Sequence, residues 1–295
     1  MKIPCFVFSG SSYEQGRSHG EALKQSIKKN ISCYFERFEK EANVSKKELI
    51  ENSRVYLNVL IEQSTEYESA MRGIAEGSSV DLFEIAMLNF RYELLYYATG
   101  KRFQQNATDG CTSFAIHPNN LTNNNLVMGQ NWDWIPEIDC ALVTSMDEDG
   151  LKRIAFTEAG IFGGKPGINS MGIGLAVNGM HSTQDDWKRL EKPFHLRCYD
   201  VLRSKNMQNA MISLSGTPRS CTANFILGQA PTQLINIELS PEKMNLISPI
   251  NNILVHANHF VDPHSIIKIE PKNPRRYLSE FRHNQLYSLL NSDSK

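Results

Sequence analysis

The spacing of apolar residues changes at Cys111, after a first third that reads as helix, and that change restricts the fold more than any other feature of the sequence. Upstream, apolar side chains recur every three to four positions, as one face of a helix requires. Leu23, Ile27, Ile31, Phe35 and Phe38 form one such series, behind a capping box read at Ser12-Tyr13-Glu14-Gln15. Ser45-Lys46-Lys47-Glu48 repeats the device before Leu49, Tyr56 and Leu60. Tyr67, Met71 and Ile74 mark a third helix stopped near Gly77, and Asp81 opens a fourth with Ile85, Leu88, Tyr92 and Leu95 on one face. Downstream, Thr112, Phe114 and Ile116 alternate with Ser113, Ala115 and His117, the two-residue period of a strand. The polar loop Asn119 to Asn125 then returns the chain along Leu126 to Trp132.

Further strands are expected at Ala141–Met146, Arg153–Thr157, Gly172–Asn178, Thr222–Leu227, Gln233–Leu239 and Ile253–His256. Helices are expected at Phe194–Leu202, Met207–Leu214 and Leu278–Leu290. The order is helices, mostly antiparallel strands, a helix pair, then strands again. That is an α+β layered domain rather than βαβ repetition. At 295 residues, a single domain can bury most of its apolar surface without a metal or disulfide. The six cysteines show no CxxC spacing, which argues against structural zinc and favours a reducing compartment. The N-terminus lacks the apolar core of a signal peptide, and no run of about 18 apolar residues exists to span a membrane. Cytoplasm is the expected location. Thirty-one basic and 32 acidic residues, interleaved, give a formal charge of −1, which speaks against a nucleic-acid footprint or a polybasic membrane surface.

The junction Gly110-Cys111 carries the first chemical possibility. A thiol is the strongest side-chain nucleophile near neutral pH, provided a base or a lowered pKa activates it. Read alone, Cys111 is more readily a small hydrophobe packed at the start of a strand than a catalyst. Gly110 adds an unhindered carbonyl and permissive dihedrals just upstream. Attack of the Cys111 sulfur on that carbonyl, followed by hydrolysis, would free Cys111 as a new N-terminus. Its α-amine, with an ordinary pKa near 8, would then serve as base for its own thiol. Asp133 lies 22 residues on (133 − 111), on the strand that a hairpin brings back beside the first. A carboxylate there can hold the ammonium or thiol by charge-assisted hydrogen bonds, though Asp is also common at turns. Trp132 and Trp134 on either side read as packing.

At these residues the sequence resembles a known family. "DGCTSFAIHP" followed by "VMGQNWDW" is similar to the acyl-coenzyme A:6-aminopenicillanic acid acyltransferase family of N-terminal-nucleophile (Ntn) hydrolases, in its Gly-Cys processing site and Gly-Gln-Asn-Trp-Asp motif. "SYEQGRSHGEAL", "MRGIAEGSSVDLFEIAMLNFRYEL", "FTEAGIFGGKPGINSMGIGLAVNGM", "INIELSP" and "LVHANHF" match further segments in the same order, from about Ser11 to Leu290. The resemblance implies a four-layer αββα sandwich of two antiparallel sheets, made as one precursor. Residues 1–110 would be its helical α segment and residues 111–295 its β segment, together one domain. It implies Cys111 as processing and catalytic nucleophile, Asp133 as the activating carboxylate, and the Asn258 side-chain amide as oxyanion stabiliser. The substrate would be a small-molecule acyl amide, with acyl-CoA as a further acyl donor and no cofactor. Penicillin chemistry itself is not implied.

His256 and His259 flank Asn258, but two histidines three apart without nearby carboxylates or cysteines make a poor metal set. The stretch from Gly160 to Gly179 holds seven glycines, yet lacks the phosphate-loop spacing, with Pro166 where Ser or Thr belongs. Glu158 and Asn169 there are candidates to face the substrate. Members of the family usually continue past the Leu278–Leu290 helix with more strands, so the expectation is a sheet trimmed at that edge or a fragment. An uncut cysteine hydrolase, and a non-catalytic remnant of the family, stay open as alternatives.

Overall fold

A computed structural model describes residues 3–100, 110–261 and 269–292. The chain opens with a short strand, β1 (Cys5–Ser9), and then runs through α1 (Ser12–Ala22), α2 (Lys24–Arg37), α3 (Lys46–Gln63), α4 (Thr65–Ser78) and α5 (Leu82–Gly100). Beyond the junction come β2 (Thr112–Ile116), β3 (Val127–Asn131), β4 (Cys140–Met146), β5 (Lys152–Glu158), β6 (Gly167–Asn169) and β7 (Ile173–Gly179). The pair α6 (Phe194–Arg203) and α7 (Met207–Ser215) follows, then β8 (Ala223–Gln229), β9 (Gln233–Leu239), β10 (Met244–Ile247), β11 (Ile253–His256) and α8 (Arg276–Ser292). The change of period at Cys111 is therefore a change from helix to strand.

The structure is a mixed α+β assembly with two sheets. One has eight strands in the order β1-β4-β5-β6-β7-β8-β9-β10, and the other has three, β11-β2-β3. Strands β2 and β3 lie against β7, and β11 lies against β9, so the small sheet faces the large one. Helices α6 and α7 pack on β7 and β8, while α8 packs on β11. One pairing departs from the two antiparallel sheets that the resemblance implies: β1 runs parallel to β4, with Cys5 opposite Leu142. No hairpin joins these strands, so nothing forces them antiparallel; β1 completes an edge from a remote part of the sequence. Its five residues are too short a signal to read unaided.

The helical half is closely fitted. An added Cβ at Gly16 would stand 2.1 Å from the Ala70 carbonyl, and one at Gly73 2.2 Å from the Tyr13 carbonyl. Gly20 and Gly77 repeat this one turn along, so the glycines of the first two quoted helical motifs exist to let α1 and α4 touch backbone to backbone. The cap of α1 also differs from the sequence reading by one residue. Ser11 accepts from the Glu14 N–H while Glu14 accepts from the Ser11 N–H, and the Ser12 hydroxyl instead donates to Glu66 at 2.9 Å. The main apolar core runs from Leu23 to Leu95 and on through Ile138, Ala159 and Tyr199, so residues on both sides of the junction share it.

Candidate active site

Strand β2 begins one residue after Cys111, and its register pairs Thr112 with Asn131. The β2–β3 hairpin therefore returns Asp133 to the junction, as the sequence reading required. The fit is close: a Cβ on Gly110 would lie 2.1 Å from Asp133 Oδ2 and 2.8 Å from its Cγ. Only glycine admits the carboxylate at that distance. Cys111 is buried, and its thiol donates to the Asp133 backbone carbonyl at 3.8 Å. Asp109, in the same motif, lies outside the described residues.

Asn258, two residues past β11, joins them. Its side-chain amide donates to the Gly179 carbonyl at 2.9 Å, and its Oδ1 accepts from Arg282 of α8 at 2.8 Å. The same guanidinium donates to the Thr112 hydroxyl at 3.3 Å, next to Cys111. Gly110, Asp133, Asn258 and Arg282 thus border one polar cavity of about 240 Å³. Asp133 also borders a second, larger cleft of about 1220 Å³, whose walls include Met128, Trp132, Phe156, Leu142 and Leu175. One carboxylate stands between a polar chamber and an apolar one.

The Gly-Gln-Asn-Trp-Asp run can now be read residue by residue. Gly129 carries the Phe114 ring against its Cα, where a Cβ would be 2.4 Å from the ring edge. Gln130 reaches across to the large sheet and bonds both backbone groups of Val177, donating to its carbonyl at 2.5 Å and accepting from its N–H at 3.0 Å. Strand β6 has already ended there, its pairing with β7 stopping at Leu175, so the side-chain amide completes the ladder. Trp132 stands edge-on to Phe156 at 5.1 Å and beneath the Lys165 ammonium at 4.7 Å. The Trp134 indole donates to the Tyr34 hydroxyl at 2.7 Å.

Two sequence candidates turn out to be structural. Glu158 is fully buried, and Tyr34, Arg91 and Lys165 surround its carboxylate. Burial raises its pKa, but Arg91 and Lys165 outweigh that and hold it down to about 2. Asn169 donates to the Leu202 and Ser204 carbonyls and accepts from Met171 and Ile173, tying a turn to the end of α6. The histidines beside Asn258 are engaged as well: His256 with Glu238 at 2.9 Å, His259 with Ser279 at 2.7 Å. Among the described residues no group of three or more His, Cys, Asp or Glu is arranged to hold a metal. Gln130, Tyr34, Arg91, Lys165 and Arg282 escaped the sequence reading. Gln130, three residues before Asp133, and Arg91 and Lys165 lie within the quoted segments, while Tyr34 and Arg282 carried no local signal.

Residues 120–295 match the model of the acyl-coenzyme A:6-aminopenicillanic acid acyl-transferase family. The chain belongs to that family. The matched region starts nine residues past Cys111 and takes in Asp133 and Asn258. Within the acyl-transferase family, the chain is 28% identical over 253 residues to the acyl-coenzyme A:6-aminopenicillanic-acid-acyltransferase 40 kDa form of Emericella nidulans, covering 85% of this chain and 67% of that protein. Among solved structures, the Caenorhabditis elegans N-acylethanolamine-hydrolyzing acid amidase ortholog superposes with a TM-score of 0.41 at 15% identity, over 50% of this chain and 70% of that one. A mutant conjugated bile acid hydrolase from Clostridium perfringens gives 0.35 at 11% identity, over 52% and 55%. Family membership makes acyl transfer the general kind of reaction. No helix among the described residues is long and apolar enough to cross a membrane.

Proposed function

We propose that this chain is the precursor of an Ntn cysteine amidohydrolase or acyltransferase, cut between Gly110 and Cys111, with its layers arranged as an αββα sandwich. The α segment would be residues 1–110 and the β segment residues 111–295. The observation that carries the reading is the fit of the Asp133 carboxylate against Gly110, with the Cys111 thiol on the Asp133 carbonyl. In the first reaction the sulfur attacks the Gly110 carbonyl carbon, and the Gly110–Cys111 C–N bond breaks to leave a thioester and the Cys111 amine. Water then cleaves the thioester, releasing the Gly110 carboxylate and the thiol.

The mature site reuses the same parts. The α-amine takes the thiol proton as sulfur attacks the substrate's amide carbon, and passes it to the departing amine as the acyl thioester forms. Water or a second amine accepts the acyl group. Asp133 holds the ammonium by a charge-assisted hydrogen bond. One Asn258 N–H is committed to Gly179, which leaves the other for the oxyanion; such a donor is worth roughly 10²–10³ in rate. Because Asp133 divides the two chambers, the apolar cleft suits the acyl group and the polar cavity suits the amine half or the acceptor. Small-molecule acyl amides, and acyl-CoA as acyl donor, fit that division.

Intact-mass measurement and N-terminal sequencing of the purified protein test the reading. Two fragments, the second beginning at Cys111, are expected from the wild type and one unbroken chain from Cys111→Ala. Normal cutting of Cys111→Ala would sink it. An unbroken wild type that still turns over acyl amides would be the uncut cysteine hydrolase. A chain with no Cys111-dependent acylation would be the non-catalytic remnant.

A further inference from the structure

The stretch Trp132-Asp133-Trp134 has no regular secondary structure to hold it. Its two indoles turn to the core shared with the helices, while Asp133 turns to Gly110. What fixes the indoles is unusual for a core. The Trp134 N–H donates to the Tyr34 hydroxyl at 2.7 Å, and that hydroxyl donates to Glu158 at 2.5 Å. Arg91 and Lys165 pair with the same carboxylate. The Arg91 guanidinium also lies over the Tyr34 and Trp134 rings at 5.0 and 5.2 Å, and the Lys165 ammonium over Trp132 at 4.7 Å. Each member therefore grips an indole directly or grips the group that does.

The direction of this chain is determined by chemistry. An indole N–H can only donate, so it needs the tyrosine oxygen as acceptor. Burial pushes the Tyr34 pKa well above its usual value, so the hydroxyl keeps the proton it gives to Glu158. Such series, with an ionised end, strengthen one another in a low-dielectric interior. Tyr34 and Arg91 come from α2 and α5, upstream of the junction; Trp134, Glu158 and Lys165 lie downstream.

Resting on the function proposed above, we propose that Tyr34 is a positioning residue for Asp133. The ion cluster around Glu158 orients its hydroxyl, the hydroxyl orients the Trp134 indole, and the indole sets where the adjacent carboxylate stands against Gly110 and Cys111. The segment upstream of the cut is thereby a working part of the site rather than only its packing.

A double-mutant cycle tests this, with Tyr34→Phe, Trp134→Phe and both together. Two rates are measured: precursor cleavage after cell-free synthesis, by mass, and Cys111 alkylation by iodoacetamide. Thermal melts identify the temperature range in which every variant is folded. Tyr34→Phe is expected to slow cleavage about tenfold, within what a displacement of under 1 Å costs. Trp134→Phe should do the same, and the double variant no more than either, because both remove one link. Alkylation should change in Tyr34→Phe and in Trp134→Phe alike. Multiplying effects, or a Tyr34→Phe rate within twofold of wild type, overturn the proposal. A wild type that stays uncut overturns the processing reaction instead, and the alkylation rates then decide for or against Tyr34.

Discussion

Replacing Gly110 with alanine separates the site's geometry from the fold's stability. The added methyl would stand 2.1 Å from Asp133 Oδ2, 2.8 Å from Cγ and 3.0 Å from Cβ, where ordinary contact begins at 3.4 Å. The carboxylate must therefore retreat by about 1.3 Å (3.4 − 2.1), and rotation about χ1 cannot relieve the Cβ contact. A misplacement of about 1 Å in a reacting constellation costs about 10²-fold in rate. The overpacking itself costs about 1–3 kcal/mol. For a domain of this size that lowers Tm by only several degrees, at roughly 2–4 °C per kcal/mol. Cleavage of Gly110→Ala, followed by intact mass in a pulse-chase, should thus be slower by about a hundredfold while the protein stays folded. Gly150→Ala is the control: it forces a side chain on a positive φ (81°), but its methyl would meet nothing within 4 Å. It should cut at the wild-type rate. Cleavage of Gly110→Ala within threefold of wild type would refute the assignment of Asp133 to the junction.

Two further outcomes follow from groups away from the junction. Gln130→Leu leaves the Val177 N–H and C=O without the partner that completes β7, so a loss of about 2–5 kcal/mol is expected in chemical denaturation, with slowed cleavage; an unchanged midpoint would contradict the stapling role. Burial raises the Glu93 pKa to about 7 from 4.5, so the folded protein holds an extra proton between those values and stability falls as pH climbs through that window. The full drop is on the order of 3 kcal/mol, and Glu93→Gln should flatten it; parallel melting curves from pH 5 to 8 for wild type and variant, both in a Cys111→Ala background, would refute the assignment.

The Gly110–Asp133 part of this site was legible in the residues because it is local, whereas Asn258 came from the family resemblance and Arg282 from neither. The alternation after Cys111, the polar loop and the return strand specify a hairpin, and a hairpin's period of two dictates which residues come back beside the junction. Most strands from Ala141 to His256 are readable for the same reason, each a short-range pattern with a fixed repeat; the short strands Gly167–Asn169 and Met244–Ile247 carried no such signal, and the cap of α1 lies one residue earlier than its sequence suggested. The exceptions are informative. The strand Cys5–Ser9 finds its partner near Leu142, a pairing made by sheet assembly rather than by any neighbouring turn. Glu158 sits in a motif that suggests a substrate contact, but its role depends on three side chains that α2, α5 and the loop after β5 deliver from 34, 91 and 165. Whether a buried carboxylate is a reagent or an anchor depends on the charges around it, and those are set by packing between elements far apart in the chain. The sequence alone determined which residues meet at the hairpin. Only the tertiary structure decided what surrounds them, because burial and long-range pairing, unlike periodicity, leave no local trace.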